Sequence, residues 1–476
     1  MKALAALFAA LVLAGCASME GVPPTSAKAA DPAALAAERT LGGAARSPWP
    51  AQDWWTALGD PQLDRLVADA LAGAPTLRMA KARFDQAMAS ASTLDAARAP
   101  TATGSFDSSR QLFSSNFIYP PPFAGTWRWQ NQLQANFSYD LDFWGRNRAA
   151  WEGALGQARA AEAEAHAARL NLASAIVRAY LQLAAAWEQR DIADATLAQR
   201  TQLLDLVQQR LGAGLDSKVE LRQVQSGIPA AREERLRYDE QIALAKTQMA
   251  ALAGKGPDAT LGLERPTLRP AADAGLPSTL PADLLGRRPD IVASRWRVEA
   301  SVRDIDAARA QFYPNVNLVA FAGLQSIGFT RLFDAGSEIA GIGPAVRLPL
   351  FDGGRLRGNL AGRNAAFDLA VEQYNQALAD ALREVADQLT IAKSVEARRR
   401  ESAESLDHAE QSYALALERY RGGLSSQLQV LAAETQVLAQ RSLAADLRAR
   451  ALDASVGLVR ALGGGYQPDH PEERKP

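Results

Sequence analysis

Gln132-Leu133-Gln134-Ala135-Asn136-Phe137-Ser138-Tyr139-Asp140-Leu141-Asp142 alternates strictly between polar and apolar residues. Successive side chains of a strand point to opposite faces, so Gln134, Asn136, Asp140 and Asp142 share one face while Leu133, Phe137, Tyr139 and Leu141 share the other. One face suits water and the other lipid, and the length is near the roughly 9 to 11 residues of a tilted membrane strand. Residues 341–350 repeat the pattern, with Ile342, Pro344, Val346, Leu348 and Leu350 opposite Gly341, Gly343, Ala345, Arg347 and Pro349. Residues 101–109 and 316–323 read as weaker partner strands, and the aromatic and Pro-rich stretch 110–128 reads as a long hairpin tip. An open sheet edge in lipid leaves backbone groups unsatisfied at several kcal/mol each. About four strands cannot close a barrel, so a closed homotrimer of about 12 strands is expected, with Gln134, Asn136, Asp140, Asp142 and Arg347 facing its lumen.

Outside the strands the period changes from two to three and four. Ala173, Ile176, Tyr180, Leu183 and Trp187 step in this way, as do Phe367, Val371, Tyr374, Leu378, Ala381 and Val385. Residues 148–210 contain no proline, and at 1.5 Å per residue such a helix reaches roughly 90 Å. An ordinary helical bundle, the competing reading, wants shorter helices and more loops.

The chain also repeats itself. Asp95-Ala96-Ala97-Arg98 returns as Asp306-Ala307-Ala308-Arg309, Phe143-Trp144-Gly145-Arg146 as Phe351-Asp352-Gly353-Gly354-Arg355, and Arg210-Leu211-Gly212-Ala213-Gly214-Leu215 as Arg419-Tyr420-Arg421-Gly422-Gly423-Leu424. The resulting division is a signal segment (1–15), a tether (16–50), a first repeat (51–255), a connector (256–289), a second repeat (290–465) and a disordered tail (466–476). The expected fold is mainly α, with long coiled-coil helices and about four strands per chain.

Lys2 precedes an apolar run that ends in Leu13-Ala14-Gly15-Cys16, too short to span a bilayer. It resembles a bacterial lipobox, in which Cys16 is acylated, and Ala17 rather than aspartate points to the outer membrane. Cys16 is the sole cysteine, so no disulfide framework exists within one chain. Fifty-two basic against 53 acidic residues, a formal charge of −1, exclude a field that draws the chain to nucleic acid. His166, His408 and His470 stand alone without metal-ligand spacing, and neither a phosphate loop nor a nucleophile elbow is present. The expectation is no catalytic residue, no metal and no cofactor, against the alternative of a lipoprotein hydrolase.

Taken with the lipobox, Trp54-Trp55-Thr56-Ala57-Leu58-Gly59-Asp60-Pro61-Gln62-Leu63, Asp142-Phe143-Trp144-Gly145-Arg146, Arg287-Arg288-Pro289-Asp290-Ile291, Phe351-Asp352-Gly353-Gly354 and Arg419-Tyr420-Arg421-Gly422-Gly423 resemble the outer membrane factor family, TolC-like and specifically NodT-type lipoproteins. The resemblance runs through nearly the whole mature chain. It implies a trimeric duct with a β-barrel in the outer membrane and an α-helical barrel in the periplasm. It also implies partners: a periplasmic adaptor and an inner-membrane transporter of the resistance-nodulation-division class. Two hairpin tips, at Gly212-Ala213-Gly214-Leu215 and Gly422-Gly423-Leu424-Ser425, are then expected to meet the adaptor, since glycine permits the left-handed turn that reverses a helical hairpin. Arg419 and Tyr420 correspond to the family's constriction pair. Its aspartate is missing, because Ala432 stands in that position and Glu434 lies about 200° further round the helix. A periplasmic helical scaffold lipoprotein without a pore is the rival reading, and the two alternating strands argue against it. Cys16→Ser is expected to abolish fatty-acid labelling of the protein; labelling that persists in this variant overturns the lipobox reading.

Overall fold

The computed structural model describes residues 18–31, 35, 38–41, 45–269, 275–277 and 284–467. Cys16, the signal segment and most of the tail lie outside the described residues. The main elements are α1 (Pro61–Gly73), α2 (Pro75–Ala96), β1 (Thr101–Leu112), β2 (Trp127–Asp140), α3 (Arg146–Gly212) and α4 (Lys218–Leu252), then α5 (Pro289–Ala310), β3 (Asn315–Ile327), β4 (Glu338–Arg347), α6 (Arg355–Arg421) and α7 (Gln427–Ala461). α2 and α5 have 22 residues each, α3 and α6 have 67, and α4 and α7 have 35. The fold is mainly helical with a small four-stranded sheet, as its sequence periods predict. Two compact units result, one from residues 18–29, 83–161 and 294–374, the other from the rest.

In the first unit the strands form an antiparallel sheet in the order β1-β2-β3-β4, leaving β1 and β4 at its edges. The register aligns Ala102, Phe137, Ala320 and Ile342 across one face, and Phe106, Leu133 and Leu324 beside them. Thr103, Asn136, Phe321 and Gly341 align across the other. Along β2 the exposure is inverted relative to a water-soluble sheet: from Leu133 to Tyr139 the apolar residues are exposed and the polar ones half-buried.

Two strand ends differ from expectation. β2 begins at Trp127 and stops at Asp140, so Asp142 is not a strand residue. Its backbone turns at φ 44°, and its carboxylate accepts the amides of Asn147 (3.0 Å) and Arg148 (2.8 Å), capping the first turn of α3. β4 likewise ends at Arg347, leaving Leu348 and Leu350 outside the sheet.

The second unit is held by a core in which Trp54, Trp55, Leu58, Leu63 and Val67 pack on Ile176, Tyr180 and Leu183 of α3 and Met249 of α4. The periodic stripe of α3 is thus buried, and Leu378, Ala381 and Val385 of α6 are buried as well. Asp60 ties this core to the chain that follows α4. It caps α1 through the Gln62 amide (2.9 Å), and it accepts the Tyr180 hydroxyl (2.6 Å) and the Thr267 amide (2.8 Å). Burial raises the Asp60 pKa, but the bonds from Tyr180, Thr267, Gln62 and Leu63 outweigh it and leave the carboxyl below its ordinary value. Part of the connector is structured as well: residues 275–276 pair in parallel with 45–46, and Arg288 is buried between Asp290, Glu384 (3.0 Å) and the Ala461 carbonyl (2.9 Å).

Asp60→Ala removes a helix cap and a charged acceptor together, and about 2–4 kcal/mol of stability should be lost. Since the folded-state pKa is depressed, the wild-type margin should be full at neutral pH and shrink as pH falls below about 4. Thermal unfolding of both proteins across pH checks this; a constant margin down to pH 3 contradicts it.

Candidate channel face and hairpin tips

Each long helix reverses through the same turn. In the first hairpin Gly214 adopts φ +72°, its amide bonds the Leu211 carbonyl (3.0 Å), and the Leu215 amide reaches Arg210 (2.9 Å). In the second, Gly423 adopts φ +72°, with amide bonds from Gly423 to Tyr420 (3.0 Å) and from Leu424 to Arg419 (2.8 Å). Both are Schellman ends, in which glycine takes the left-handed residue and the next position is apolar. Leu215 and Leu424 are left exposed at the turns, and Ser217 with Glu220 forms a capping box that starts α4. Gly212 is the last residue of α3, Ala213, Gly422 and Ser425 lie in the turns, and Ser425 Oγ has no partner among the described residues.

The predicted pair at the second tip splits. Arg419 is exposed, whereas Tyr420 is buried beside Leu203, Val207, Val224 and Val430. Its hydroxyl donates to Asp216, on the turn of the first hairpin. Arg210 completes the cluster: Nε donates to Asp216 Oδ2 (3.1 Å), Nη1 donates to the Tyr420 carbonyl (3.0 Å), and the guanidinium lies 4.4 Å from the Tyr420 ring centroid. Burial and then the Asp216 bond push the Tyr420 phenol well above its ordinary pKa, so it stays a donor at neutral pH. The two hairpins are therefore fastened by one carboxylate that accepts from both sides.

Further from the tips, α4 contains Pro229, which removes one backbone donor from the helix. Arg200 of α3 covers that region, donating to the Gly227 carbonyl (2.8 Å) and to Glu434 of α7 (3.3 Å). Glu434 is buried; burial pushes its carboxyl up in pKa while Arg200 holds it down. Ala432 is exposed, so Glu434 turns to Arg200 and not to the place an aspartate there would take.

On the sheet, Gln134, Asn136, Asp140 and Arg347 fall on one face by register, Arg347 opposite Asn315 and Asp140 opposite Asn317. Their amides form a line: Gln132 donates to Gln134, and Gln134 donates to Asn136 (2.7 Å). Asp140 gathers Arg146 (2.9 Å), Asn147 (3.0 Å) and Asn315 (2.8 Å), joining the strand ends to the start of α3. Sequence reasoning missed Asp216, Arg210, Arg200 and Asp60. Only the Asp60-Pro61 cap signal marked any of them locally, because Tyr420, Glu434 and Tyr180, the partners of Asp216, Arg200 and Asp60, lie far away in the chain. Among the described residues no group of three or more His, Cys, Asp or Glu could hold a metal ion, and no helix is long and apolar enough to cross a membrane. His166 packs on Tyr466, the first residue of the expected tail, and His408 lies exposed beside Glu404.

Comparison with known proteins gives this arrangement its context. Residues 66–255 and 280–464 match the model of the outer membrane efflux protein family. The chain is 43% identical to fusaric acid resistance protein FusA of Burkholderia cepacia over 372 residues, 76% of this chain and 69% of that protein. It is 34% identical to multidrug resistance outer membrane protein MdtP of Escherichia coli over 439 residues, 90% of each. The solved structure of the outer membrane protein VceC from Vibrio cholerae superposes with a TM-score of 0.83 at 38% identity, covering 88% of this chain and all of that one. The chain belongs to the outer membrane efflux protein family, and its function is that of an outer-membrane efflux channel, the exit duct of a tripartite pump.

Tyr420→Phe removes one donor from the Asp216 cluster and should cost about 1–2 kcal/mol locally. Backbone amides at both tips should then exchange hydrogen roughly tenfold faster while those of the α3 core do not change. Equal exchange in wild type and variant would show that the cluster does not fasten the hairpins.

Proposed function

We propose that three copies of the chain close a 12-stranded barrel, each contributing β1 to β4, with the Phe137 and Ile342 face against lipid and the Gln134, Asn136, Asp140 and Arg347 face lining the lumen. One observation carries this reading: the sheet exposes Phe106, Phe137, Ile342 and Val346 on one face and ends in two open edges. Water favours neither feature, and hydrocarbon accepts the first only when the second is closed. The two sets of elements with matching lengths support descent from one duplicated unit. Acylation of Cys16 adds a lipid anchor from the outer membrane. The exposed Leu215 and Leu424 turns supply contact points for a periplasmic adaptor that leads to an inner-membrane transporter of the resistance-nodulation-division class. In this reading the cluster of Tyr420, Asp216 and Arg210 holds the tips in the resting state, and the exposed Arg419 is the residue assigned to the constriction. Substrate then moves passively along the duct.

An arginine at a lipid-facing midplane position costs roughly 2–4 kcal/mol, whereas lumen positions mainly tune conductance. Phe137→Arg should therefore deplete assembled trimer, and Asn136→Arg should assemble but shift the ion preference of single channels in planar bilayers. Equal trimer yields, or a wild-type protein that never conducts, contradict the reading.

A further inference from the structure

The outer side of the sheet–helix junction carries a groove that the duct function leaves unused. Arg146 and Asn147 both reach Asp140, so that side of the first turn of α3 belongs with the polar face of the sheet. At 100° per residue Arg148 lies about 150° round from their midpoint, on the side of the apolar face. There Arg148 and Glu152, with Arg303, Asp306 and Arg309 of α5, line a groove of about 460 Å³. Its end toward the strands is formed by Trp144 and Tyr313, stacked at 4.5 Å and 18°. Trp144 Nε1 donates to the Pro314 carbonyl (3.0 Å), which fixes the pair, yet both rings remain 52% and 44% exposed.

The charges in the groove do not balance. Glu152 accepts from Arg148 (2.9 Å) and Arg303 (3.2 Å), and Asp306 lies 3.5 Å from Arg303. Arg309 is exposed and enters no ion pair among the described residues. Three guanidinium groups thus face two carboxylates, and Arg148 is 71% exposed despite its partner. Pairs this exposed contribute about 0–1 kcal/mol, so an incoming anion meets little competition.

The order of chemistry along the chain is that of a membrane boundary. Tyr139 and Leu318 are exposed on the apolar strand face, the aromatic pair follows, and the arginines come next. Trp144 lies in the turn just before α3 and Arg148 in the first turn of that helix, so the aromatic pair and the arginines are adjacent along the chain.

We infer that this groove binds the phosphodiester headgroup of an anionic phospholipid of the periplasmic leaflet. Arg309 and Arg148 contact its phosphate oxygens, and the Trp144 and Tyr313 rings cover its glycerol and upper acyl chain. The inference rests on the apolar sheet face being the lipid face, and continuity with that face is what selects a lipid over a soluble anion.

The test uses the purified full-length protein with phosphatidylglycerol and phosphatidylcholine in equal amounts, counting lipid retained per chain by native mass spectrometry. Wild type should retain phosphatidylglycerol preferentially, and Arg148→Gln with Arg309→Gln should lower that preference by roughly thirtyfold, as expected for two arginines at an anionic surface. Arg309→Lys should keep most of it. Both substituted positions are exposed, and the same spectra report whether the assembly is intact. No preference in wild type, or an unchanged preference in the double variant, overturns the site. Displacement of phosphatidylglycerol by excess inorganic phosphate overturns the lipid as occupant in favour of a free anion. Flotation with phosphatidylcholine vesicles separates this from the membrane reading: protein that does not float defeats that reading, whereas protein that floats without headgroup preference defeats only the groove.

Discussion

β1 and β4 each end the sheet with a row of amides and carbonyls to which no other described strand pairs. In water such a row is an aggregation hazard, and in hydrocarbon each unsatisfied group costs several kcal/mol. The sheet nevertheless turns Phe106, Phe137, Ile342 and Val346 outward, which only lipid or a partner rewards. Proposed closure by three copies satisfies both conditions together. Much of the remaining arrangement follows: a polar inner face with a line of amides, and helices that leave the sheet near Asp140.

The junction below the sheet is where this constraint passes to the helices. Asp140 collects donors from β3 and the first turn of α3, and Asp142 caps that turn, so strand direction and helix direction are set by neighbouring carboxylates. The two helical hairpins turn by the same glycine-dependent geometry but are fastened asymmetrically. Asp216 of the first turn holds Tyr420 of the second hairpin, whereas the corresponding Ser425 Oγ of the second turn has no partner among the described residues. An asymmetric fastening is suited to the proposed gate, since one cluster can release without rebuilding both turns.

The alternation in residues 132–140 was legible because burial in a two-sided sheet has period two, and nothing else explains Phe137 beside Ser138. Its upper end was not, since Ser108, Asn131 and Ser326 align there on the face that carries Phe137 and interrupt the pattern. Asp142 continued the alternation in composition while its backbone had already turned, a change that only the φ of 44° reveals. The long helices and their glycine turns could be read from local chemistry. The fastening residues could not: Tyr420 and Asp216 stand 204 positions apart, and Arg200 and Glu434 stand 234 apart. Each looks like an ordinary charged or aromatic residue until its partner is placed.

Within one chain β1 and β4 are separated by two strands, about 14 Å at the usual strand spacing, and a disulfide needs Cα atoms within about 7 Å. A cysteine at Ser105 of β1, combined in turn with one at Ile339, Gly341, Gly343 or Ala345 of β4, can therefore join only separate chains. Oxidised membranes carrying these pairs, resolved on denaturing gels, measure closure directly. For at least one pair the account predicts a covalent ladder that ends at three chains and collapses on reduction. Cross-linking that is absent from every pair, that stops at two chains, or that runs beyond three contradicts it.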